Sequence, residues 1–243
     1  MGRVLGGRLP LLVPRVADDT RSQLLYATRR RRTFCQCLRK LHCHHLPRLR
    51  CSVRAGETPF RYIREAVDVL AALAPSLAEA MKTIREKAFV ILDGTLLPID
   101  RIAADRPCYS GRKRHHGVNV QVLTDPFGRL LWASPALPGA THDLTAAREH
   151  GIIDALVDAD LKCWADKAYQ GAARNVRVPF KGRSLKRWQR RHNTTHAKIR
   201  CVGEQTMATL KYWRLLRKLR CSTNRITAVV KAILTLHLAA APG

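Results

Sequence analysis

Two short apolar runs, each closing on an aspartate, constrain this chain more than any other feature. Ala88-Phe89-Val90-Ile91-Leu92 leads into Asp93, and Leu161-Lys162-Cys163-Trp164-Ala165 leads into Asp166. Both have strand length, and the first is apolar throughout, as a strand buried on both faces of an α/β sheet must be. In open α/β sheets, functional groups gather at the carboxyl ends of the strands. Two such strands side by side bring the carboxylates together, and their repulsion is tolerated chiefly where a cation neutralises it.

The flanking pattern extends this frame. Thr58-Pro59 reads as an N-cap followed by proline at the first helical position, with Phe60, Ile63, Val67 and Leu70 on one face. Pro75-Ser76 stops that helix and caps another, expected to reach Lys87. The first strand is expected to end at Asp93-Gly94-Thr95, with a second extended run over 96–102. Residues 118–123 and 130–133 flank Asp125-Pro126-Phe127-Gly128, which predicts a hairpin with a four-residue turn. A helix is expected over 143–157, a basic loop over 171–196, and two closing helices over 195–219 and 224–239. This order predicts a mixed α/β sheet with helices on both faces. It divides the chain into a basic segment 1–56, a helical segment 57–87 and a main domain 88–243.

The basic segment contains Arg29 to Arg32 and has neither helical nor alternating periodicity. It reads as disordered, or as the product of a shifted reading frame. Cys35, Cys37, Cys43 and Cys51, with His42, His44 and His45, lack the paired CxxC spacing of zinc knuckles, so no zinc site is expected there. Cys108, Cys163, Cys201 and Cys221 are scattered singly, as small buried hydrophobes are. No apolar run of about 18 residues predicts a membrane span, and prolines break the apolar stretch near the start, a poor secretory signal.

Charge separates the function classes. The net charge of +26 divides into +11 over residues 1–55, −2 over 56–166 and +17 over 167–243. An acid-containing centre beside a strongly basic C-terminal part suits a polyanion held over a carboxylate site. No glycine-rich nucleotide loop appears, which gives no support to ATP or NAD chemistry. Glu204 is the single acid among 18 Lys/Arg after Asp166. It is either a helical ion-pair partner or a third ligand, and we read it as the ligand. Arg183, Lys186, Arg187, Arg190 and Arg191 are expected to track a phosphate backbone. Trp188 among them either stacks on an unpaired base or folds back onto the core. His115 and His116, beside Arg112, Lys113 and Arg114, are expected to face substrate rather than metal.

Four stretches, in order, carry a resemblance: Ile91-Leu92-Asp93-Gly94-Thr95, Leu137 to Leu144 with its Gly139-Ala140-Thr141-His142-Asp143 centre, Ala165-Asp166-Lys167-Ala168-Tyr169-Gln170-Gly171, and Gly203-Glu204-Gln205 through Lys211. Over residues 58–238 the chain resembles bacterial insertion-sequence transposases, of the DDE superfamily endonucleases related to Harbinger transposases. The resemblance implies an RNase H-like fold with Asp93, Asp166 and Glu204 as the catalytic triad, 73 and 38 positions apart. It implies two Mg2+ or Mn2+ ions on these oxygen ligands, which suit hard cations. It also implies DNA cleavage and strand transfer on double-stranded DNA, a homodimer pairing two element ends, and a cytoplasmic, nucleoid-associated place. Arg200, Glu204 and Lys211 follow the spacing R-x3-E-x6-K of related transposases, which places all three on one helical face, although Ala197 stands where the related signature has tyrosine. His142-Asp143 matches a further motif; Asp143 either supports a ligand or caps the following helix. The alternative is a catalytically inactive remnant that only binds DNA, because only residues 60–66 retain anything of an N-terminal helix-turn-helix.

Overall fold

The computed structural model describes residues 59–100, 106–217 and 219–240, all within the compact unit Ala55–Gly243. The basic segment 1–56, with its cysteine-histidine cluster, and the Thr58 cap lie outside the described residues.

Two helices come first, α1 (Pro59–Ala72) and α2 (Leu77–Ile84). Ser76 caps α2 as the Pro75-Ser76 pair predicts: its hydroxyl accepts from the Glu79 amide, and its own amide donates to the Glu79 carboxylate at 2.8 Å. The sheet has seven strands, β1 (Val90–Pro98), β2 (Tyr109–Ser110), β3 (His115–Thr124), β4 (Leu130–Ala133), β5 (Leu137–Pro138), β6 (Cys163–Ala165) and β7 (Val176–Arg177). Its main path runs β2-β3-β1-β6-β7, with β4 and β5 also paired to β3. β1 runs antiparallel to β3 and parallel to β6, and β6 runs parallel to β7, so the sheet is mixed as expected.

Short helices α3 (Asp143–Glu149) and α4 (Ile152–Asp158) lie between β5 and β6, and the long α5 (Arg187–Tyr212) and α6 (Thr223–Ala240) close the described chain. The core is one continuous cluster that includes Val90, Leu92, Val120, Val122, Leu123, Leu156, Cys163, Leu210 and Ile233. Val67 and Leu70 of α1 and Met81 and Ile84 of α2 belong to that same cluster. Thr235 of α6 donates to the Leu70 carbonyl at 2.8 Å, and Arg225 pairs with Asp68. The helical segment thus shares the apolar interior of the sheet domain.

Four expectations change. β1 does not stop at Asp93: Asp93, Gly94 and Thr95 pair with Val122, Gln121 and Val120. The long partner β3 carries the strand through a sequence that locally favours a turn. The helix expected over 143–157 is two, because Gly151 adopts φ 67 between them, a left-handed conformation that glycine tolerates without steric cost. α5 begins at Arg187 rather than near 195, and the Lys186 amide bonds the Gln189 side chain at 2.8 Å there. Of the scattered cysteines only Cys163 is buried; Cys108 and Cys221 are half-buried and Cys201 is exposed. Among the described residues, no helix is long and apolar enough to cross a membrane.

Candidate active site

β1 and β6 pair in parallel only as far as Leu92 and Ala165. Beyond that point β6 ends and β1 continues, and the sheet opens between Asp93, the next residue of β1, and Asp166, the first residue after β6. A cleft of about 570 Å3 sits there, lined by Asp93, Thr95, Arg112, Lys113, Asn119, His142, Asp143, Asp166, Arg200, Glu204 and Lys211 among others. The three expected triad acids therefore line one cleft, together with Arg200, Lys211, His142 and Asp143.

α5 reaches the cleft because it is pinned at three points. Buried His196 bonds the Ala165 carbonyl at 2.9 Å, at the very end of β6, and burial chiefly holds its pKa down in favour of the neutral ring. Thr206 donates to the Gly128 carbonyl of the β3–β4 turn at 2.6 Å. Between them Gly203 lets the helix lie on β1, since a Cβ there would stand 2.9 Å from Ile91 Cγ2. Arg200, one turn before Gly203, and Glu204, the residue after it, line the opening.

Two guanidinium groups divide the carboxylates. Arg200 lies 3.2 Å from Glu204 and 3.8 Å from Asp93. Arg112, on the turn between β2 and β3, places Nη1 3.3 Å from Asp143 Oδ2 and Nη2 3.3 Å from Asp166 Oδ2. The other oxygen of Asp166 accepts the Ala168 amide at 2.7 Å. Asp93 feels the crowding. Burial foremost, and the neighbouring charges of Asp166 and Asp143, lift its pKa from 3.8 to about 6, against the pull of Arg200. Lys211 has its pKa lowered mainly by burial and then by the nearby charge of Lys113, while Asp93 opposes the shift.

Of the two readings that the sequence context of Glu204 allows, the ion pair is the one observed. Glu204 is an i,i+4 ion-pair partner of Arg200, and its side chain, 60% exposed, lines the cleft. Arg183, Lys186, Arg187, Arg190 and Arg191 are all exposed on the first turns of α5 and the loop before it, and none lines the cleft. Trp188 is not part of the buried core. Its ring packs edge-on against Phe180 at 4.9 Å and yet stays 57% exposed. His115 is exposed, its Nδ1 2.8 Å from the Lys113 carbonyl, and His116 packs against Tyr109.

Sequence reasoning missed Asn119, Gln121 and Tyr169, which form a buried chain of hydrogen bonds beneath Asp143, and it did not foresee Arg112 as the bridge between two acids. An alternating strand with Asn119 and Gln121 at every second position was the available signal, and it reads equally well as a solvated face.

Among the described residues, no three His, Cys, Asp or Glu side chains stand together as a ready chelate; Arg200 pairs with Asp93 and Glu204, and Arg112 with Asp143 and Asp166. The donor set nevertheless suits a hard divalent cation. Every acid in the cleft offers oxygen, no cysteine lines it, and the hydroxyl of Thr95 is buried in the cleft wall without a hydrogen-bond partner among the described residues.

A family model of DDE superfamily endonucleases matches residues 92–237, a span that begins just before Asp93 and contains Asp166 and Glu204. No curated protein and no solved structure matches the chain. With more than half of the sequence matched and its ordered acids lining one cleft, the chain belongs to the DDE superfamily endonucleases.

Proposed function

We propose that this protein is a DNA transposase of an insertion sequence, an RNase H-like nuclease whose Asp93, Asp166 and Glu204 form the acid triad for strand cleavage and strand transfer. One observation carries the reading: acids from β1, the end of β6 and α5, far apart in sequence, line a single cleft that Arg200, Lys211 and Lys113 also line.

Asp93, Asp166 and Glu204 would hold two divalent ions, Mg2+ or Mn2+. Bound there, such ions supply an acidified water and charge stabilisation for in-line displacement at phosphorus. The chain's own residues do the rest. Arg200 and Lys211, on the same face of α5 as Glu204, hold phosphate oxygens beside the acids, and Lys113 adds a third cation from the opposite wall. Arg183, Lys186, Arg187, Arg190 and Arg191 extend the positive surface along the start of α5, where they bind backbone without reading sequence. The active form is a homodimer that pairs two element ends in the bacterial cytoplasm. The alternative, a remnant that binds DNA without cutting it, predicts the same electrostatic binding but no dependence of any reaction on the acids.

The test is nicking of duplex DNA carrying the element's terminal repeats, run beside gel-shift binding. The wild-type chain should nick only with Mg2+ or Mn2+; Asp93→Asn and Asp166→Asn should lower nicking at least a hundredfold and leave binding in place. Binding without metal-dependent nicking by the wild type would establish the remnant instead.

A further inference from the structure

We propose that Asp143 is a working carboxylate of this cleft, held in position by a one-way ladder of hydrogen bonds from Tyr169 through Gln121 and Asn119; the inference rests on the metal-dependent reading above. The two oxygens of Asp143 have different partners. Oδ1 accepts from Asn119 Nδ2 at 2.8 Å and is thereby tied to β3. Oδ2 faces the cleft and meets the same guanidinium that meets Asp166 Oδ2, each at 3.3 Å. Arg112 thus marks a point on which the free oxygens of both acids converge, while their other oxygens are bound to the protein.

The ladder has a direction that Asp143 dictates. An ionised carboxylate only accepts, so Asn119 must turn its amide nitrogen toward it. The Asn119 oxygen then accepts from Gln121 Nε2 at 2.8 Å, and the Gln121 oxygen accepts from the Tyr169 hydroxyl. All three of these residues are buried. Reversing any link would set two acceptors or two donors face to face where water cannot intervene, leaving buried polar groups unsatisfied. The ladder therefore fixes the rotation of a carboxylate at the surface of the cleft, as the outer partners of metal ligands do.

Two details separate this role from helix capping. The N-cap of α3 is His142, whose Nδ1 accepts the Leu144 amide at 3.3 Å, so Asp143 is not needed for it. Gly94 of β1 is cut away for Asp143: a Cβ there would stand 2.5 Å from Asp143 Oδ1 and 2.9 Å from Gln121 Nε2.

The test is Mn2+ binding to the full-length protein without DNA, followed by the electron paramagnetic resonance signal of free Mn2+, with circular dichroism to verify folding. Asp143→Asn keeps the shape and the bond to Asn119 but removes the charge, and should weaken Mn2+ binding about tenfold or more. Tyr169→Phe leaves every charge in place and should weaken it several-fold by leaving the Gln121 oxygen unpaired and the ladder without its buried anchor. Arg112→Ala removes a side chain that is 61% exposed and outside the core, and should tighten Mn2+ binding several-fold by removing the competing cation. Wild-type affinity in Asp143→Asn overturns the proposal, and so does unchanged or weaker binding in Arg112→Ala. Asp93→Asn serves as the reference: if it loses Mn2+ while Asp143→Asn does not, only this inference fails, whereas if both bind as wild type, the metal-dependent reading itself is refuted.

Discussion

Replacing Asp93 by asparagine should stabilise the metal-free protein while removing its chemistry. Asp93 has its pKa lifted from 3.8 to about 6, with burial as the leading cause and the charges of Asp166 and Asp143 adding to it. At neutral pH the ionised form is then about 3 kcal/mol less favourable in the folded state than in the unfolded chain. The side chain is only 16% exposed, so solvent screens little of this. Asparagine must still satisfy its amide in the same place, which leaves an expected gain of roughly 1–2 kcal/mol, or a few degrees in melting temperature for a domain of this size. The pH profile identifies the cause. Because the folded pKa is raised, the wild type loses stability as pH climbs from 3.8 through 6, whereas the variant does not. Thermal melts in chelator should therefore place Asp93→Asn above wild type at pH 7, a lead that is lost toward pH 4, where the wild-type carboxyl is protonated in the folded chain. Saturating Mg2+ should reverse the order, since an ion that binds the folded state stabilises only the protein that retains its ligand. A variant that melts lower than wild type at pH 7 in chelator, or a gap that does not narrow toward pH 4, would refute the electrostatic argument.

Other consequences follow from the same geometry. Mn2+ binding should strengthen up to tenfold per pH unit as pH rises toward 6 and level off above 7, because Asp93 must release its proton to become a ligand; isothermal titration across that range checks the slope. Gly94→Ala should cost roughly 1–3 kcal/mol by overpacking against Asp143 and Gln121. It should also weaken Mn2+ binding, a pairing that calorimetry and spin resonance read separately.

Much of the fold is legible in the residues because its elements are locally consistent. The apolar strand before Asp93, the hairpin around Asp125 and the Ser76–Glu79 capping box all form where their chemistry puts them. The errors lie where a long-range partner overrides local preference. Asp93-Gly94 reads as a turn until eight residue pairs with β3 hold it extended. The start of α5 hides in an arginine-rich stretch with no apolar period. The convergence of the acids on one cleft is legible, since Asp93 and Asp166 come directly after the paired residues Leu92 and Ala165 of adjacent parallel strands. The candidate site is illegible in its supports, because nothing in the spacing of Asn119, Gln121 and Tyr169 shows that they face inward and join one another. Arg112 lies 31 and 54 positions from its two partners, a link that only the folded chain makes.

For the site to work as proposed, a divalent ion must take the place of two arginines among these acids. Anomalous difference maps from crystals grown in Mn2+ test that directly. We expect density bounded by Asp93 and Asp166, with the guanidinium groups of Arg112 and Arg200 withdrawn from the carboxylates they now hold. Crystals at saturating Mn2+ with both arginines still in place and no density among the acids would contradict it.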